Sequence, residues 1–119
     1  MMDIQYCLKK AKTIPFVKGQ KRLWTIILDK RNRLVSESGN SYSQTHTQMF
    51  HYARRTGTPN KCYLHSEIGA LLKDRNRKGC KIITGRVDSM GKACLAAPCL
   101  ACQLAIKEFT NIKSVEYSL

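Results

Sequence analysis

Two short stretches constrain this chain more than anything else in it. They are Leu64-His65-Ser66-Glu67 and Ala97-Pro98-Cys99-Leu100-Ala101-Cys102. They read H-x-E and then P-C-x-x-C, so a fold that uses them together must bring one imidazole and two thiolates to a common point. One His and two Cys suit tetrahedral zinc, and three protein ligands leave the fourth position for water. Zinc lowers the pKa of such a water to about 7. Glu67, close to His65 in sequence, is placed to move protons rather than to bind metal.

Each motif reads as the start of a helix. His65 and Glu67 diverge by about 200° around a helix axis, so they converge only on something beyond the helix tip, where a metal and its water fit. Cys99 and Cys102 lie about 60° apart and share a face. Pro98 favours helix entry. The free N–H groups and the dipole at a helix start favour thiolates. A C-x-x-C alone also suits a redox pair, a structural zinc or a core pair. Structural zinc needs a fourth ligand, and Cys94 or Cys62 is available for it. Neither structural zinc nor redox chemistry gives Glu67 a purpose.

The pattern H-x-E … P-C-x-x-C resembles the cytidine deaminase-like superfamily, which includes cytidine, deoxycytidylate and tRNA-adenosine deaminases. The resemblance runs roughly from residue 23 to 117. It implies an α/β fold, a three-layer α/β/α arrangement with a mixed sheet. It also implies Zn2+ on His65, Cys99 and Cys102, with Glu67 as the general acid/base. Ser66 stands where that family commonly has Ala, and is grouped with the substrate-binding candidates. Ser38-Gly39-Asn40 resembles the family's Gly-x-Asn, whose Asn contacts the substrate's sugar, with the first Gly replaced. Asn40 is therefore a substrate-binding candidate; its alternative is a turn Asn bonding its own backbone. Arg54 and Arg55 open a basic loop, residues 54–61, that runs into the His motif. They are candidates for holding a substrate phosphate, against a solvated loop as the alternative. Many family members carry a further helix and strand beyond the position matched by Leu119.

The implied activity is zinc-dependent hydrolytic deamination of a cytosine nucleoside or nucleotide, with a deoxycytidylate-like substrate favoured. Cytosine is preferred to adenine on family frequency alone. Related free-nucleotide deaminases are usually homo-oligomers. Two alternatives stand beside this: a deaminase acting on RNA or single-stranded DNA, and a non-catalytic zinc module that binds nucleic acid. Both draw on the net charge of +13, from 21 Lys and Arg against 8 Asp and Glu, which calls for an acidic partner such as a nucleotide phosphate or a nucleic-acid backbone. Against the first of them, Trp24 and Phe109 read as buried, which leaves few rings for stacking unpaired bases.

A length of 119 residues suits one domain, residues 1–119. No apolar run approaches the roughly 20 residues of a membrane span. The N-terminus lacks a secretory pattern, so a cytoplasmic location is expected. In that compartment the scattered Cys7, Cys62, Cys80 and Cys94 read as thiols rather than bridges.

Hydrophobic spacing predicts a helix over residues 3–12 capped by Asp3, then a hairpin of strands at 23–28 and 33–38. Residues 45–55 carry only a weak helical stripe, with His46 and His51 outside the metal set. A helix over 65–77 ending at Gly79 follows, then a strand at 81–87 and a short extended piece at 93–97. A helix over 100–109 and a strand at 112–117 complete the order. In such folds helix starts lie at the carboxyl edge of the sheet, where ligands bind.

Overall fold

The computed structural model describes residues 3–43, 45–57 and 63–119. The elements are α1 (Ile4–Ala11), β1 (Arg22–Leu28), β2 (Leu34–Gly39), α2 (Thr47–Arg55), α3 (Ser66–Lys73), β3 (Lys81–Val87), β4 (Ala93–Cys94), α4 (Leu100–Glu108) and β5 (Ser114–Tyr117). The strands form one mixed sheet. β1 lies between β2 and β3, antiparallel to both. The far edge of β3 is shared: β4 pairs antiparallel at Arg86 and Val87, and β5 pairs parallel from Lys81 to Thr84.

Consecutive apolar residues, Ile26, Ile27 and Leu28 in β1 and Ile82 and Ile83 in β3, are all buried, which reflects burial on both faces of the sheet. Side chains alternate across a strand. Ile26, Leu28 and Ile83 pack with Cys7 of α1 on one face. Ile27 and Ile82 pack on the other with Met49, Ile68, Leu71, Ala101 and Ala105 of the remaining helices. The three-layer α/β/α arrangement with a mixed sheet is therefore present. Among the described residues, no helix is long and apolar enough to cross a membrane.

Local chemistry sets the element ends. Asp3 caps α1 by accepting the N–H groups of Gln5 and Tyr6. The weak stripe at 45–55 is a full helix: His46 caps it through Nδ1, which accepts the Gln48 N–H at 3.0 Å. Met49, Tyr52 and Ala53 form its buried side. Met49 and Tyr52 share a cluster with Ala101 and Ala105 of α4.

α3 stops at Lys73 instead of continuing to Arg77. The buried Asp74 carboxylate accepts the N–H groups of Lys78 at 3.0 Å and Gly79 at 2.9 Å, which folds the basic tail into a turn. Gly79 does not cap the helix; a side chain there would collide with Ile27. β4 is shorter than the expected extended piece because Ser118 fills the gap beside it. The Ser118 hydroxyl accepts the Arg86 N–H at 3.0 Å and donates to the Cys94 carbonyl at 2.6 Å.

Candidate active site

His65 is the N-cap of α3 and Cys99 the N-cap of α4, and neither uses its side chain to cap. Both are thus free to point beyond the helix tips. Cys102 follows in the first turn of α4. His65 Nδ1 lies 3.4 Å from Cys102 Sγ and 3.5 Å from Cys99 Sγ. The three ligand atoms all fall within 4.8 Å of one another, and among the described residues no further His, Cys, Asp or Glu joins them. Cys94 is elsewhere, its thiol directed at the Arg86 carbonyl. Cys62 lies outside the described residues.

The donor set fits zinc. Bond lengths of about 2.0–2.3 Å at tetrahedral angles separate neighbouring ligand atoms by about 3.5 Å. The electrostatics agree. Hydrogen bonding with the Cys102 thiol, and then with His65 and the Cys102 backbone, pulls the Cys99 thiol down to about 3 against the opposing effect of burial. Metal ligands must be deprotonated, so a thiol acidified this way is prepared to bind.

Glu67 is 4% exposed. Burial pushes its carboxyl upward, opposed by hydrogen bonds from its own backbone N–H and from Ser66 and by the neighbouring imidazole. It shares a cavity of about 300 Å³ with His65, Ser66 and Cys99, walled by Asn40, Tyr42 and Tyr63 and bordered by Lys21. That volume lies at the low end of small-ligand sites.

A chain of hydroxyls ends at this carboxylate. Thr25 donates to Ser66 at 2.8 Å, and Ser66 donates to Glu67 Oε1 at 3.0 Å. Thr25 and Thr84 oxygens are 2.7 Å apart. The one proton of Thr25 is used on Ser66, so Thr84 must donate to Thr25. Every proton in the series therefore points toward Glu67, starting from two facing strands.

Asn40 lines the same cavity. Its amide also ties two segments together, accepting the Leu23 N–H at 2.8 Å and donating to the Lys21 carbonyl at 2.8 Å. These partners belong to the segment that leads into and opens β1, so the side chain braces that segment instead of bonding its own turn. Arg54 and Arg55 are not brought to this cavity. They line another on the outer side of α2 with Phe50 and His51. Arg55 is held by Glu108 at 2.6 Å, and the Arg54 guanidinium sits 5.7 Å from the Phe50 ring centre. Residues 58–61 of their loop lie outside the described residues.

Sequence reasoning missed Thr25, Thr84 and Lys21. Thr in a strand reads only as a β-former, and Lys21 sits with Lys18 and Arg22 in a basic stretch where no residue of the sequence singles it out. It also underestimated the exposed rings: Phe16, Phe50 and Tyr63 are 53%, 41% and 47% exposed. Trp24 is half-buried and donates to Glu37 at 2.9 Å.

No protein-family model matches the chain, and no curated protein matches it. Among solved structures it is similar to a glutamate-to-glutamine mutant of cytidine deaminase from Mycobacterium tuberculosis. The two share 13% identity over 98% of this chain and 85% of that one, with a TM-score of 0.54. At that identity the likeness establishes the cytidine deaminase-like fold.

Proposed function

We propose that this chain hydrolyses the exocyclic amine of a cytosine nucleoside or nucleotide, converting the C–NH2 group and water to a carbonyl and ammonia. The observation that carries this reading is the buried Glu67 carboxylate sharing one cavity with His65 and Cys99, beside a donor set completed by Cys102. Zinc held by His65, Cys99 and Cys102 would supply a water acidic enough to act as nucleophile at neutral pH.

The remaining chemistry belongs to the chain. Glu67 takes one proton from the attacking water and delivers it to the ring nitrogen, then takes the second from the newly formed hydroxyl as the carbonyl forms and delivers it to the amine as the C–N bond breaks. Burial favours its protonated form, which suits a group that must both accept and donate near neutrality. Ser66 fixes the carboxylate by bonding Oε1. Asn40 meets the sugar at the cavity wall. Among the described residues, Lys21 is the one cation that lines this cavity, so it, rather than Arg54 or Arg55, is the candidate for a phosphate on a deoxycytidylate-like substrate. The working enzyme is a cytoplasmic homo-oligomer in this proposal, which sedimentation of purified protein and localisation of a tagged chain check.

The test is zinc analysis with an absorbance screen of cytidine, deoxycytidine, deoxycytidylate and adenosine. Glu67→Gln should retain zinc and lose turnover by roughly 100- to 10,000-fold. A Glu67→Gln protein of full activity would refute the assignment. Turnover of adenosine alone would refute the choice of base.

A further inference from the structure

The candidate active site does not end at its own cavity. A second cavity of about 710 Å³ adjoins it, and the two share Gly19, Gln20 and Lys21 as lining. The loop between α1 and β1 is therefore a rim with the reaction site on one side and an open groove on the other. The groove is basic, lined by Lys18, Lys21, Arg22 and Arg86. Its one acid, Asp88, has its carboxylate turned into its own turn, where it accepts the N–H groups of Met90 and Lys92. Arg22 is committed to the Asp88 and Ile14 carbonyls. Arg86 donates once, to the Leu95 carbonyl, and its Nε–H has no hydrogen-bond partner among the described residues. Phe16 also lines the groove, 53% exposed, with the Arg22 guanidinium 5.7 Å from its ring centre.

We propose that this groove binds single-stranded nucleic acid, holding the backbone and a neighbouring base while the target nucleotide occupies the cavity of Glu67. The inference rests on the deaminase reading of that cavity and names its substrate class. The groove begins at the rim it shares with the cavity, so a strand continuing from a nucleotide bound there would enter it. A cationic track with an exposed ring beside it is what sequence-tolerant binding of unpaired strands requires, the cations meeting phosphates and the ring a base. The excess of positive charge over the whole chain draws the strand in.

The test uses the full chain loaded with zinc and a fluorescein-labelled oligodeoxycytidylate of roughly ten nucleotides, within the usual span of such sites. Anisotropy should show binding that weakens steeply with salt. Phe16→Ala should weaken it by roughly fivefold or more, the value of one base–ring stack. Lys18→Glu should weaken it and flatten the salt dependence, by about 0.7 in logarithmic slope for each phosphate no longer neutralised. Both side chains are exposed, so melting temperatures should stay unchanged and serve as the folding control. In both variants the ratio of kcat/KM on the oligonucleotide to that on free deoxycytidine should fall.

Binding that ignores both substitutions, or that ignores salt, overturns the proposal. Turnover of deoxycytidine with no oligonucleotide binding overturns it while leaving the deaminase reading intact. Oligonucleotide binding sensitive to both substitutions, with no turnover of any substrate, supports the groove and removes the deaminase reading instead.

Discussion

Breaking the hydroxyl series at Thr25 should cost stability in a way that depends on Ser66. Thr25, Ser66 and Thr84 are 0%, 1% and 3% exposed, so water is not there to replace a missing partner. Thr25→Val keeps the shape and removes the hydroxyl. It leaves the Thr84 proton without its acceptor and the Ser66 oxygen without its donor. An orphaned buried polar group costs about 1–3 kcal/mol; Thr84 is orphaned outright while Ser66 keeps its bond to Glu67, so the substitution should cost about 2–3 kcal/mol in total. For a chain of this length that corresponds to a fall of about 8–12 °C in melting temperature, at about 2.1 cal/mol/K of unfolding entropy per residue. Ser66→Ala should cost a similar amount, since it strands the Thr25 proton and removes a hydrogen bond to a carboxylate. The double substitution should cost less than the two single costs together by about 1 kcal/mol or more, because each single change already spoils the same bond. Urea denaturation of the four proteins measures this coupling. Additive costs, agreeing within about 0.3–0.5 kcal/mol, would mean that the hydroxyls do not act as a series.

Other expectations are simpler to state. Cys102→Ser should reduce bound zinc from one ion per chain to near zero by elemental analysis, and chelation of the unmodified protein should lower its melting temperature. Gly85→Ala should destabilise by about 1–3 kcal/mol in urea, since its new Cβ would lie 2.9 Å from the Cys7 Cβ and 3.0 Å from the Leu8 backbone nitrogen, which cannot swing aside. Alkaline pH should weaken the fold through Cys7, whose thiol burial pushes up to about 12 from an ordinary 9.0. A raised folded value means full stability below about pH 9 and progressive loss between pH 9 and 12, about 1.4 kcal/mol by pH 10. Cys7→Ser should flatten that slope in urea melts between pH 8 and pH 10.

The metal motifs were legible because their function depends on local geometry. A residue at a helix cap with an unused side chain must point off the tip, and the spacing of His65 to Glu67 and of Cys99 to Cys102 carries that information without tertiary contacts. The sheet was legible for a similar reason: β1 and β3 carry their apolar residues consecutively, Ile26, Ile27 and Leu28 in one and Ile82 and Ile83 in the other, as burial on both faces requires. The end of α3 was not legible. Helical periodicity and Gly79 pointed past Arg77, but Asp74 found two backbone N–H groups in the following turn, and Arg77 adopts a left-handed φ of 51°. Ser66 looked like a minor departure from Ala. Its role depends on Thr25, far away in sequence and adjacent only once α3 lies on β1. Hydrogen bonds between distant hydroxyls leave no periodic trace.

The net charge of +13 gains meaning only when its parts are sorted by partner. Arg33 is held by Asp29 at 2.9 Å, Arg55 by Glu108, and the Arg77 guanidinium lies over the Phe109 ring at 4.5 Å. Arg22 is spent on backbone carbonyls. These cations cross-link the protein's own surface. The pair that looked best placed for phosphate by sequence, Arg54 and Arg55, follows α2 to a face that shares no lining with the cavity of Glu67. Lys18 and Lys21 are different: exposed, on a loop whose rim borders that cavity, and opposed locally only by an acid already engaged with backbone. Charge that guides a polyanion to a reaction site must lie beside the site and remain uncommitted. Among the described residues, this short loop meets both conditions, which is why substitutions there, rather than in the larger arginine cluster on α2, discriminate a nucleic-acid substrate from a free nucleotide.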